Sequence, residues 1–136
     1  HLCRAVAFGQ EVTLNGGGDH RRDWTYAADT AQGVCLAFTA PAPRYTVYNV
    51  ASGRHHTVAE VIEAIRRIEP HAEINVRPGH WEDDAFHEAG NLRGVLDIGR
   101  ACSDLGYAPR YTLEEGLREY IEWWRRAGVD QALNTA

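Results

Sequence analysis

The chain has 136 residues, a formal net charge of −5 at pH 7 and an apolar fraction of 44%. That length suits one packed domain, the composition is that of an ordinary globular protein, and the negative balance gives no electrostatic reason to expect nucleic acid as a partner. No apolar run approaches the roughly 20 residues of a membrane span and no signal peptide is visible, so neither a membrane nor a secretory route is expected. Cys3, Cys35 and Cys102 are scattered without C-x-x-C spacing, which points to reduced thiols and a cytoplasmic setting. All 14 basic side chains are arginines, each a permanently charged, fork-shaped donor.

In chain order, Glu11 to Leu14 reads as a strand, rich in β-branched residues and followed by glycine. The run Gly16-Gly17-Gly18 matches neither G-x-G-x-x-G nor G-x-x-x-x-G-K-[ST], so a tight turn after that strand outweighs a phosphate loop. Asp29 to Thr39 places Val34, Cys35 and Phe38 on one helical face and stops before Pro41. Tyr45 to Val50 reads as a second strand.

Thr57 opens the clearest helix. Thr57-x-x-Glu60 is a capping box, and Val58, Val61, Ile62, Ile65 and Ile68 form an apolar stripe that Pro70 closes. A third strand is expected at Glu73 to Val76. The stretch 79–94 is acidic and aperiodic and reads as a long loop. Asp97 then caps a short helix carrying Ile98, Cys102 and Leu105, with Gly106 as its left-handed stop. The last helix runs from a second capping box, Thr112 to Glu115, through Leu117, Ile121 and Trp124 to about Gly128, and residues 129–136 read as a frayed tail. No repeat or linker divides the chain, so 1–136 is expected to be a single domain.

Several residues bear on chemistry. His80, Glu82, Asp83, Asp84, His87 and Glu88 could suggest a metal site, but they lack ordered ligand spacing and read as a solvated acidic loop, so no metal is assigned. His55-His56 reads as a polar turn before the Thr57 cap. Arg22 follows a flexible turn and precedes Trp24 and Tyr26, expected to anchor the following strand; its planar fork suits a phosphate, although a lone arginine is more often a solvated charge.

The order of motifs adds more. The run from Gly16 through Arg22-Asp23-Trp24 to Asp29, with Asn49-Val50-Ala51-Ser52-Gly53, Arg77-Pro78-Gly79, Leu105-Gly106-Tyr107, Pro109, Leu113-Glu114-Glu115-Gly116-Leu117 and Trp123, resembles the C-terminal, substrate-binding part of the NAD-dependent epimerase/dehydratase family, the extended short-chain dehydrogenases/reductases. The likeness covers about Phe8 to Arg126. Ala28 departs from it where valine is more usual, and His80 stands where the family's R-P-G-D has its acid.

The resemblance implies an α/β fold: a partial one, with short strands and about four helices, forming the C-terminal subdomain without the complete Rossmann domain. It implies that Arg22 contacts the diphosphate of a nucleotide sugar, with a second arginine, Arg77 or its rival Arg93, beside it. The complete family uses NAD and a Tyr-x-x-x-Lys pair, but this chain has no lysine and no dinucleotide glycine fingerprint, so no catalytic or cofactor-binding residue is assigned. The expected role is therefore substrate binding without catalysis by this chain alone. A free-standing binding or assembly module, or a decayed fragment that keeps the fold, is the alternative. A homodimer, or a separate Rossmann-domain chain, is the expected partner.

Overall fold

The structure, a computed structural model, describes residues 1–79 and 94–128. Among the described residues nine elements follow one another: α1 (Leu2–Ala7), β1 (Val12–Leu14), β2 (Arg21–Arg22), α2 (Ala27–Thr39), β3 (His56–Thr57), α3 (Val58–Ile68), β4 (Ile74–Val76), α4 (Gly99–Leu105) and α5 (Leu113–Ala127). Among the described residues this is an α/β arrangement of five helices and short strands, as the motifs implied.

The strands form two separate pairs. β1 and β4 run parallel, with Val12 opposite Ile74 and Leu14 opposite Val76. β2 and β3 run antiparallel, with Arg22 opposite His56 and Arg21 opposite Thr57. A parallel pair cannot be joined by a tight turn, and here the connection carries α2, β3 and α3.

The main core is built by the apolar stripe read from the sequence. Val58, Val61, Ile62 and Ile65 of α3 are buried against Val6, Val12, Ile74 and Ile121. Each such aliphatic side chain contributes about 1.5–3 kcal/mol on leaving water. Both capping boxes are present: Thr57 Oγ1 accepts from Glu60 N at 3.0 Å while Glu60 Oε2 accepts from Thr57 N at 2.7 Å, and Thr112 and Glu115 repeat the exchange. A smaller core joins Ala101, Leu105 and Tyr107 to Leu36, Val50 and Ile98. Gly106 takes φ +69° and ends α4 in the expected left-handed conformation.

Three expectations change. Tyr45 to Val50 is not a strand: no neighbouring strand lies beside it among the described residues, and side chains hold it instead. Tyr45 N donates to Tyr48 Oη at 3.0 Å, Tyr48 Oη donates to Asp104, and Asn49 Nδ2 donates to the Asp97 carbonyl at 2.9 Å. Trp24 and Tyr26 lie in irregular chain rather than in a strand; the indole is 37% exposed, and the Tyr26 ring packs against Tyr111 at 4.6 Å between centroids. Asp97 precedes the cap of α4 by one residue, and its Oδ1 accepts from Gly99 N at 2.8 Å.

α1 has no counterpart in the sequence reading. It spans 6 residues and carries no side-chain cap, so its periodicity is too short to register, and it is packing of Cys3 and Val6 in the main core that fixes it. The long-loop and frayed-tail readings fall on 80–93 and 129–136, outside the described residues, although Gly79 and Gly94 themselves are non-helical.

Candidate functional site

Because β1 and β4 are parallel, both chains leave the pair at the same edge, the carboxyl end where open α/β sheets place their ligands. The two departing loops are stitched to each other. Arg77 N donates to the Leu14 carbonyl at 3.0 Å, Gly18 N donates to the Arg77 carbonyl at 3.1 Å, and Asp19 N donates to the Gly79 carbonyl at 3.1 Å. Asp19 Oδ2 accepts in return from Gly79 N at 2.7 Å.

Gly18 is required by this closeness. A Cβ there would stand 2.8 Å from the Arg77 carbonyl oxygen. Gly17, at φ +84°, makes the turn, its carbonyl accepting from His20 N at 3.0 Å. The glycine run leads into β2 rather than into a helix, so the strand–glycine–helix geometry that cradles a dinucleotide pyrophosphate is absent from it.

Arg22 lies three residues beyond Asp19, half-buried in β2, with Nη1 donating to the Arg21 carbonyl at 2.8 Å. The acids of the same motif act as staples. Asp23 Oδ1 accepts from Ser52 N at 3.0 Å and from Ser52 Oγ at 2.5 Å, which ties β2 to the turn before β3. Asp29, 2% exposed, accepts from Arg110 N at 2.9 Å and Tyr111 N at 3.1 Å, which ties α2 to the approach to α5. Trp24 Nε1 donates to the His56 carbonyl at 3.1 Å.

The structure thus brings the loop of Arg77 against the loop that precedes Arg22. Arg77 is exposed. Arg93 and the residues His80, Glu82, Asp83, Asp84, His87 and Glu88 lie outside the described residues, and among those described no group of three or more His, Cys, Asp or Glu is arranged to hold a metal ion. A largely apolar cavity of about 430 Å3 lies between α1, α3 and α5, reaching Leu14 and Trp24. Cys3 on its wall has its thiol pushed up to about 11 by burial, which keeps it protonated and unreactive at neutral pH.

Sequence reading missed Ser52 and Tyr107 as partners of the motif. Tyr107 Oη donates to the buried Ala51 carbonyl at 3.0 Å, so the segment Asn49 to Gly53 is held from both sides. The regularity of that segment was visible in the sequence; the residues facing it come from 29 and 56 positions away and leave no local trace.

The model of the GDP-mannose 4,6 dehydratase family matches residues 2–120. The chain belongs to that family. The wider likeness to NAD-dependent epimerases and dehydratases holds with it. A dTDP-glucose 4,6-dehydratase of Streptomyces niveus is 28% identical over 125 residues, covering 88% of this chain and 34% of the relative. The UDP-glucose 4-epimerase of Thermotoga maritima, solved with UDP-glucose, superposes with a TM-score of 0.73 at 26% identity, over 93% of this chain and 38% of that one. MoeE5, solved with UDP-glucuronic acid and NAD, superposes with a TM-score of 0.72 at 27% identity, over 93% and 40%. The chain therefore spans little more than a third of the length of these family members. No described helix is long and apolar enough to cross a membrane.

Proposed function

We propose that this chain is the nucleotide-sugar-binding portion of an NAD-dependent epimerase or dehydratase. In this reading Arg22 clamps the substrate diphosphate, with Arg77 as the described candidate for the second contact and Arg93 as its rival. The supporting observation is the stitched pair of loops at the carboxyl edge of β1 and β4, in which Leu14 holds the Arg77 N–H while Gly18 and Asp19 hold the backbone that follows it. Two guanidinium forks suit a diphosphate, because each can make a bidentate, charge-assisted pair.

Hydride transfer and proton exchange at the sugar are then the task of a nucleotide-binding half. With no lysine there is no Tyr-x-x-x-Lys pair, and the six tyrosines include Tyr26, Tyr48 and Tyr107, which are committed to packing or hydrogen bonds. In this reading such a half also covers apolar surface that these residues leave exposed. The apolar stripe of α2, with Val34 60% and Phe38 90% exposed, is the surface in question.

Calorimetric titration of UDP-glucose and dTDP-glucose into the chain and into Arg22→Ala tests the assignment. Weak binding by the parent and none by the variant is expected. Equal binding by both would remove Arg22 from the site. The same experiment with NAD should give no heat of binding.

A further inference from the structure

A second site is framed by the acids of the motif. A cleft of about 600 Å3 lies between the β2–β3 pair, α3 and the turn into α5, with Trp24, Arg54, His56 and Arg110 on its wall. Its volume is that of a small-molecule pocket.

The carboxylates that share this wall are already engaged. Glu60 closes its capping box at 2.7 Å, Glu63 pairs with Arg66 at 2.5 Å, and Glu114 pairs with Arg67 at 3.1 Å. Arg54 and Arg110 have no carboxylate partner among the described residues. With the Gln32 amide turned so that its oxygen faces Arg110, the guanidinium donates to a neutral acceptor at 3.0 and 3.2 Å, which supplies no countercharge.

The backbones of both arginines are pinned by motif acids. Arg54 N donates to Ser52 Oγ at 3.1 Å, and that hydroxyl donates to Asp23 at 2.5 Å. Arg110 N donates to Asp29 at 2.9 Å. The Trp24 indole is tied by its Nε1 to the His56 carbonyl and remains 37% exposed. One hydrogen-bonded frame therefore sets an aromatic plate and two arginines without carboxylate partners among the described residues on the wall of a single cleft.

We propose that this cleft binds a planar organic anion of the nucleoside monophosphate class, with the base stacked on Trp24 and the phosphate taken by Arg54 and Arg110. Stacking on an aromatic side chain tolerates any base, and arginine forks fit phosphate bidentately. The site is separate from Arg22, so it stands or falls independently of the nucleotide-sugar reading.

The test titrates UMP, uridine and inorganic phosphate, each alone, into the parent chain and into Arg22→Ala. UMP should bind Arg22→Ala, and uridine and phosphate should each bind more weakly than UMP. Arg54→Gln and Arg110→Gln, both changes at exposed side chains, should each weaken UMP about tenfold in either background, the equivalent of ~1.4 kcal/mol. Trp24→Leu should weaken UMP and leave phosphate unchanged. Thermal midpoints of the two glutamine variants should equal that of the parent. Absence of UMP binding to both the parent and Arg22→Ala, UMP binding indifferent to Arg54→Gln and Arg110→Gln, or phosphate binding as tightly as UMP would overturn the proposal. A UDP-sugar that still binds the parent and is lost in Arg22→Ala would meanwhile leave the first site intact.

Discussion

The Asp29 carboxylate accepts the backbone N–H of Arg110 at 2.9 Å through Oδ1, across 81 residues of sequence, while Oδ2 takes Tyr111 N at 3.1 Å. One buried side chain thus fixes the last irregular turn before α5 against the first turn of α2. Removing it leaves two backbone donors without acceptors, and each such loss costs about 1–3 kcal/mol. Asp29→Ala is therefore expected to lower stability by about 2–5 kcal/mol, read as a fall in the denaturation midpoint. Asp29→Asn, which keeps one acceptor and turns a donor toward a donor, should fall between. An alanine variant as stable as the parent would show that water replaces the carboxylate fully.

The two capping boxes offer a quieter comparison. Thr57 and Thr112 each satisfy one orphan N–H at a helix start, and replacing such a cap with alanine costs about 1 kcal/mol. Thr57→Ala and Thr112→Ala should each show that loss in urea denaturation, and the double variant should show their sum, since the caps belong to different helices. A strongly non-additive result would mean that α3 and α5 exchange stability through their shared core.

Asp104 supplies a pH dependence. The Tyr48 hydroxyl donates to it, Arg44 Nε pairs with it at 2.6 Å and Arg44 N donates at 2.8 Å, and these hold its carboxyl down to about 2 from the usual 3.8. The folded carboxyl is thus the stronger acid, so the clamp contributes fully above the usual carboxylate range. Its contribution is lost as pH falls from about 4 toward about 2. Acid titration of the parent and Asp104→Asn should show the parent losing its advantage across that window. Parallel acid curves for the two would exclude the clamp as the cause.

These staples explain what could and could not be read beforehand. α3 and α5 were legible because cap, stripe and stop all lie within one helix length: Thr57 to Pro70, and Thr112 to Gly128. Arg22 stood out only through the motif it shares with the family, since its position beside the turn reads by itself as a solvated charge. Tyr45 to Val50 misled for the reverse of the reason that made α3 and α5 legible. Its β-branched and aromatic residues suit a strand, but a strand needs a partner, and here Asp104 and Asp97 of the α4 region hold the segment through its side chains and leave Val47 66% exposed. Ser52 and the backbones of Arg54 and Arg110 are held through Asp23 and Asp29, across distances at which sequence patterning is silent.

Gly33 gives a packing test of the junction between α2 and that segment. A Cβ at Gly33 would lie 2.4 Å from Val50 Cγ1, so α2 and Val50 meet at the glycine. Alanine would gain about 1 kcal/mol of helix propensity, and overpacking would cost about 1–3 kcal/mol. Gly33→Ala should therefore destabilise the parent slightly, and in a Val50→Ala background the same change should become stabilising. If Gly33→Ala stabilises the parent, the close approach relaxes without cost and the junction is not tightly packed.

The last expectation concerns the outer face of α2. Val34 and Phe38 lie one helical turn apart, 60% and 90% exposed. Helices of soluble domains turn such a stripe inward, since each large apolar side chain left in water forgoes about 1.5–3 kcal/mol. Tyr45 to Val50 carries no strand, so pairing of sheet edges cannot cover this surface, and the helix itself must make the contact. Two copies meeting across a two-fold axis would bury the same stripe on both, because an isologous interface needs only one self-complementary patch. Light scattering of the isolated chain at low micromolar concentration should therefore report a dimer, and Phe38→Ser should shift it to a monomer with an unchanged circular dichroism spectrum. A parent that is monomeric and binds no hydrophobic dye would show that two exposed side chains one turn apart are too small a patch to drive association.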